Sequence, residues 1–254
     1  MSNRDFHVWD GVYASFAEAH GDLAVFNAAK WLERSKEKAL ALRERFTKEH
    51  RTQLSTQDYC LPLLAAVCGA SLHRLRILDF GGALGFSFFP VRAGLPAEIA
   101  LNFEIVEQPA LVRLGRELFA DERGLSFHDD LDVMEGQYDI VHCGSVLQYV
   151  EDWKGLLQKL CEFRAPFLVL DDIPAGNIET YVTLQHYFGK KIPCWFWNLD
   201  QFITRVRACG YRPIFQTRYV ARILGKAGPL PMGNLPEARR LEHAVNIVFK
   251  RQDD

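Results

Sequence analysis

The stretch Ile77-Leu78-Asp79-Phe80-Gly81-Gly82-Ala83-Leu84-Gly85 is where this chain is best equipped for chemistry. An apolar run ends in an acid, and a glycine cluster follows at once. Glycine reaches backbone angles closed to other residues and removes the side chain that would block a ligand. A helix opening after such a bend presents free N–H groups to a negatively charged group. The acid at its head, Asp79, suits a ligand with a cationic amine better than a pyrophosphate, which the carboxylate would repel. The spacing does not fit the dinucleotide fingerprint Gly-x-Gly-x-x-Gly, and no Walker lysine follows Gly85. A glycine-rich strand-to-helix turn that holds no ligand is the alternative.

Further groups stand where a sheet of parallel strands would bring them to one edge. Glu107 ends the second apolar run and is followed by Gln108; a carboxylate there can accept both hydroxyls of a ribose. Glu104 is the rival acid, inside the run. Asp129 and Asp130 follow a third short run and could accept from an adenine amino group, or simply be solvated surface. His142 lies near the end of the fourth run, before Gly144 and Ser145. It is a base candidate, with a buried, hydrogen-bonded histidine as the alternative. His186 and Asp172 are the other base candidates, His186 being preferred for substrate contact. Gln148, Tyr149, Gln185, Tyr187 and Trp195 are the candidate substrate contacts, with core packing as their alternative role. Asp171 and Asp172 form an acidic pair without a convincing third ligand, so no metal site is expected.

These residues need a scaffold. The runs 76–80, 99–106, 125–127, 138–143 and 167–170 have strand length, and most are nearly continuous in apolar character, as strands covered on both faces are. Helical segments at 86–93, 110–119 and 152–163 alternate with them, which predicts a doubly wound, mostly parallel sheet. Segments 211–223 and 244–250 predict a final antiparallel pair, giving seven strands. A helix at 199–209 stops at Gly210, and 225–236 reads as a loop. Upstream, helical spacing at 22–51 and 57–70, the latter capped by Thr56, predicts an N-terminal helical extension. Residues 1–70 are thus expected to form an extension or lid, and 71–254 the α/β domain.

Composition narrows the setting. The chain has 254 residues with 48% hydrophobic and 24% charged content, enough for a core without staples. A net charge of −2 gives no global case for gripping nucleic acid or an anionic membrane. No run is long enough to span a membrane, and the N-terminus lacks an apolar signal core. The six cysteines form no Cys-x-x-Cys pair and read as reduced thiols, so a cytoplasmic location is expected. The composition leaves a homodimer open.

The sequence resembles a family of class I S-adenosylmethionine-dependent methyltransferases often found beside cell-surface polysaccharide biosynthesis genes. The resemblance rests on five stretches in order: Trp9-Asp10-Gly11-Val12-Tyr13 with Phe16; Leu78 to Gly82 with Gly85; Val106-Glu107-Gln108-Pro109; Ser145 to Tyr149; and Gln185 with Ile192-Pro193-Cys194-Trp195. It implies a Rossmann-like fold and S-adenosyl-L-methionine as cofactor. Asp79, Gly81, Gly82, Gly85, Glu107, Gln108, Asp129, Asp130, Gly144 and Ser145 are the cofactor-side candidates. Two departures stand out: Ala83 replaces the middle glycine of the loop, and Asp171-Asp172 stands where an arginine is expected. The expected activity is O-methylation of a small polar acceptor such as a sugar or glycan intermediate. A non-catalytic cofactor-binding module and a nicotinamide-dependent oxidoreductase are the rival readings.

Overall fold

Thirteen strands and seven α-helices order themselves around one long sheet in the computed structural model, which describes residues 6–49 and 59–252. In chain order the first elements are β1 (Trp9–Tyr13), α1 (Phe16–Ala19), α2 (Ala29–Glu49) and α3 (Cys60–Gly69). The alternating part follows as β2 (Arg74–Phe80), α4 (Phe88–Gly94), β3 (Ala100–Val106), α5 (Pro109–Leu118), β4 (Leu125–His128), β5 (Ile140–Gly144), α6 (Trp153–Glu162) and β6 (Phe167–Ile173). The remainder is β7 (Ala175–Gly176), β8 (Tyr181–Tyr187), β9 (Lys190–Asn198), α7 (Leu199–Arg207), β10 (Tyr211–Tyr219), β11 (Arg222–Ile223), β12 (Lys226–Ala227) and β13 (Ala244–Arg251).

The seven-stranded sheet has the order β10-β13-β6-β5-β2-β3-β4. Strands β2 to β6 pair in parallel, while β13 runs antiparallel to both β6 and β10. Successive residues face opposite ways and both are apolar. Leu78, Val141, Leu168 and Ile247 join the core under α6 and α7. Ile77, Ile140, Val169 and Val248 join the core on the other face, with α3, α4 and α5. Two covered faces explain why the strands read as unbroken apolar runs.

Side-chain caps set the starts of two helices, α6 and α7. Asp152 accepts from the Gly155 N–H at the start of α6, and Asn198 accepts from Gln201 at the start of α7. Gly210 follows α7 with φ +84°. The proposed cap Thr56 lies outside the described residues; α3 begins after Tyr59, which makes no side-chain cap. The helical stretch from 22 divides into a 3-10 turn at Leu23–Asn27 and α2. Ala28 breaks it, with an extended backbone.

One element escaped the sequence reading. Residues 181–198 form a β-hairpin, β8–β9, and the N-terminal Trp9–Tyr13 joins it as an edge strand. The small sheet has the order β1-β8-β9-β7, so the N-terminal extension opens with a strand before its helices. Trp9 packs edge-on against Phe196, and Phe16 stacks on Trp195. These contacts anchor the arm.

Candidate active site

The carboxyl ends of β2, β3, β5 and β6 meet beside the glycine bend, at the switch point where open α/β sheets place ligands. The bend is under strict steric demand. Gly81 has φ +73°, and a Cβ there would collide with Val146. A Cβ on Gly82 would collide with the Asp79 carboxylate. Gly85 also has positive φ, at +77°. Ala83 adopts φ +49°, a left-handed conformation that a side chain resists. Ser145, after β5, and Asp172, at the end of β6, are held at +58° and +54°. Three strained non-glycine residues thus lie at or just beyond the carboxyl ends of three neighbouring strands, a pattern associated with functional sites.

Glu107, at the end of β3, reaches back to the bend. Its carboxylate accepts from the Ala83 N–H at 3.1 Å and from the Gln108 N–H at 2.7 Å. Burial raises its pKa, and the two backbone donors oppose that rise. The rival Glu104 is engaged elsewhere. It binds Arg76 Nε at 2.7 Å and accepts from the Tyr138 hydroxyl at 2.9 Å. Gln108 serves as the N-cap residue of α5 without a side-chain cap bond. Asp129 and Asp130 follow β4 and are exposed; Asp130 accepts from the Asp132 N–H in its own loop.

His142 is held from both sides. Its Nδ1 lies 2.6 Å from Asp79 Oδ1, and its Nε2 lies 3.3 Å from Asp171 Oδ2. Burial pulls the imidazole pKa down, but the Asp79 charge and the bonds to both carboxylates outweigh it and lift the value to about 10. The ring is therefore an imidazolium at neutral pH with both N–H groups donated. It lacks the lone pair that a general base needs. The geometry assigns His142 to tying strand ends together rather than to proton abstraction. Gly144 must lack a side chain because a Cβ there would press on this ring.

Two oxygens of the bridge remain unsatisfied. Asp79 Oδ2 and Asp171 Oδ1 are buried without hydrogen-bond partners, as is Gln148 Oε1 in the 3-10 turn Leu147–Tyr149. Buried acceptors without donors are costly, and they mark places where a donor-bearing ligand fits. Asp172 accepts from the Ser145 hydroxyl at 2.7 Å, and its own N–H donates to Asn246 Oδ1 at 2.9 Å. Asn246, wholly buried on β13, was not among the expected residues. A polar residue inside an apolar strand run was its available signal.

The small sheet contributes selectively. Tyr149 donates to Gln185 Oε1 at 2.7 Å, and Trp31 Nε1 donates to the Tyr187 hydroxyl at 3.2 Å. Phe26 packs against Tyr149 and Tyr187. Strand alternation places Gln185 and Tyr187 on one face, and His186 with Trp195 on the other. The His186 ring meets Phe6 edge-on, and its Nε2 is buried without a partner. The contacts of His186 thus lie with the N-terminal arm. Trp195 touches both Phe16 and the core beneath the main sheet.

Among the described residues, no three His, Cys, Asp or Glu side chains are grouped to hold a metal ion. No helix among them is long and apolar enough to cross a membrane.

No protein-family model and no curated protein sequence matches the chain. Solved structures share its architecture. The 1,6-didemethyltoxoflavin-N1-methyltransferase of Burkholderia thailandensis, with 1,6-didemethyltoxoflavin and S-adenosylhomocysteine bound, aligns over 100% of this chain and 99% of its own, at TM-score 0.52 and 14% identity. Magnesium protoporphyrin IX methyltransferase from Synechocystis, with S-adenosylmethionine bound, aligns over 85% and 97%, at 0.50 and 14%. An S-adenosylmethionine-dependent methyltransferase from Mesorhizobium loti aligns over 77% and 99%, at 0.50 and 12%. At these identities the likeness is one of fold: the chain has the Rossmann-like architecture of class I methyltransferases.

Proposed function

We propose that the protein is an S-adenosylmethionine-dependent methyltransferase acting on a small polar acceptor, with O-methylation of a sugar or glycan intermediate as the leading reaction. The observation that carries this reading is the Glu107 carboxylate turned onto the Ala83 N–H of the glycine bend. An acid in that position can exchange its backbone donors for ribose hydroxyls. The residues also fit the rest of the cofactor: Gly81 and Gly82 leave a side-chain-free cradle, and the unpartnered Asp79 Oδ2 offers an acceptor to an ammonium.

When bound, the cofactor would supply an electrophilic methyl group on a positively charged sulfur. The chain's own residues must orient the acceptor and exclude water. Asp172, steadied by Ser145, is the carboxylate best placed to take the acceptor's proton. Gln148, Tyr149, Gln185 and Tyr187 are assigned to the acceptor side. Asp129 and Asp130 remain candidates for the adenine amino group, and His186 for a substrate contact from the arm. Residues 1–70 act as the lid over 71–254 in this reading. All six cysteines are free thiols, in keeping with a cytoplasmic setting. A place beside polysaccharide biosynthesis rests on the sequence resemblance.

Thermal-shift measurements separate this reading from its rivals. S-adenosylhomocysteine raises the melting temperature and NAD does not; the reverse order points to an oxidoreductase. Cofactor binding without methyl transfer to a broad acceptor panel points to the non-catalytic module.

A further inference from the structure

The thiols of this chain do not share one environment. Cys60, Cys143 and Cys194 are buried, Cys60 beside the Thr217 hydroxyl, and Cys68 stands half-buried on α3. Cys161 and Cys209 meet. Cys161 lies in the last turn of α6, and Cys209 lies two residues beyond α7. Both helices pack under the same face of the main sheet, and Cys209 rests against the core that contains Cys161. A side-chain hydrogen bond joins the two thiols, and because it raises the Cys161 pKa, Cys161 is its donor. The Cys209 thiol in turn donates to the Arg205 carbonyl at 3.6 Å.

Both thiols line a cleft of about 440 Å3. It lies at the amino ends of β6 and β10, the end of the sheet opposite the glycine bend. Cys161 is only 6% exposed, whereas Cys209 is half-buried. Access therefore ranks them: Cys209 meets a reagent first, and Cys161 stands behind it. Burial and the neighbouring Cys209 thiol raise the Cys161 pKa, against the Arg205 guanidinium, so Cys161 stays a neutral thiol until the sulfur beside it is activated. An accessible thiol backed by a second one is the arrangement that redox-sensing cysteines use.

We infer that Cys161 and Cys209 form a reversible oxidation site, with Cys209 as the attacking thiol and Cys161 as the resolving one. The oxidant is a small disulfide of the glutathione type. The Cys209 thiol loses its proton, and its sulfur attacks one sulfur of that disulfide; a mixed disulfide forms and one small thiolate leaves. The Cys161 thiol then loses its proton, its sulfur attacks Cys209 Sγ, and the second small thiolate leaves. The two thiolates take up the two protons. Two cysteine thiols are thus oxidised to one disulfide, and one small disulfide is reduced to two thiols. The loop so closed carries Asp171, Asp172 and the β8–β9 hairpin.

The experiment exposes the native full-length protein to glutathione disulfide at about pH 8, near an ordinary thiol pKa, and maps its peptides without reduction. In the wild type the peptides of Cys161 and Cys209 become joined with the loss of two hydrogens, retain no glutathione, and separate again in dithiothreitol. Cys161→Ala retains one glutathione on Cys209. Cys209→Ala leaves Cys161 unmodified over the same period. Where a variant does not fold, the time course of the wild type decides in its place: the mixed disulfide at Cys209 precedes the bridge. Glutathione lodged on wild-type Cys209 without a bridge, a bridge from either thiol to another cysteine, modification of Cys161 ahead of Cys209, or two unreacted thiols overturns the inference. The methyltransferase reading is independent of these outcomes, since it stands or falls on S-adenosylhomocysteine binding.

Discussion

His142 Nδ1 lies 2.6 Å from Asp79 Oδ1, and both side chains are buried at the carboxyl ends of adjacent strands. With Asp171 on the next strand, the imidazolium forms a charged clasp across β2, β5 and β6. The clasp holds the acid that precedes the glycine bend, so stability and ligand binding share one set of atoms.

The clasp gives stability a defined pH dependence. The folded pKa of His142, about 10, lies above its ordinary value near 6.5. Its contribution is complete below about pH 6.5 and is lost as pH rises toward 10. The melting temperature therefore falls between pH 7 and 9, and His142→Gln flattens that slope. Above about pH 9 the thiols of Cys60 and Cys143, which burial keeps neutral, add a loss of their own. A His142→Gln variant with an unchanged slope across pH 7 to 9 contradicts the clasp.

Ala83 is strained and its strain is removable. At φ +49° the methyl group resists the backbone it sits on. Ala83→Gly relieves ~1–2 kcal/mol of left-handed strain, less ~0.5–1 kcal/mol for glycine's added freedom in the unfolded chain. Urea denaturation is expected to show a small net gain in stability, and Ala83→Val a clear loss. A destabilised Ala83→Gly places the alanine methyl in a contact that matters more than the backbone.

Gly82 protects Asp79. A methyl at Gly82 meets the carboxylate directly, so Gly82→Ala must displace either the bend or the Asp79–His142 bond. The expected result is a loss of stability of ~1–3 kcal/mol, the size typical of over-packing. The pH slope of stability is reduced with it. Calorimetric melts at pH 7 and pH 9 read both effects.

Tyr149 links the main sheet to the small one. Tyr149→Phe removes its bond to Gln185 and leaves the amide oxygen unpaired, at a cost of ~1 kcal/mol. In the proposed reaction this variant raises KM for the acceptor more than it lowers kcat. An unchanged KM moves Tyr149 into a purely structural role.

Much of this was legible beforehand, for reasons that differ by residue. The sheet could be read because strands covered on both faces are apolar at every position, as Ile77 with Leu78 and Ile140 with Val141 show. The glycine bend could be read because positive φ and close approach leave few choices at Gly81 and Gly82. The β8–β9 hairpin could not. One face of it mixes Tyr181, Thr183, Gln185 and Cys194 and the other mixes Val182, His186 and Trp195, which blurs the period-two pattern, and its edge partner Trp9–Tyr13 lies more than 150 positions upstream. For His142 the sequence left two roles open, a base and a buried, hydrogen-bonded histidine. The sequence placed it near a strand end, but its two carboxylate partners come from strands 63 and 29 positions away, and only their pairing converts a base candidate into a fixed cation. Ser145 and Asp172 likewise owe their contact to neighbouring strand ends.

The most direct measurement is titration calorimetry of S-adenosylhomocysteine into the wild-type protein and into Glu107→Ala. The account predicts micromolar binding to the wild type and a loss of ~1–3 kcal/mol in the variant, as expected for a charge-assisted bond to the ribose. Folded wild-type protein that takes up no S-adenosylhomocysteine, or binding that ignores the loss of Glu107, contradicts it.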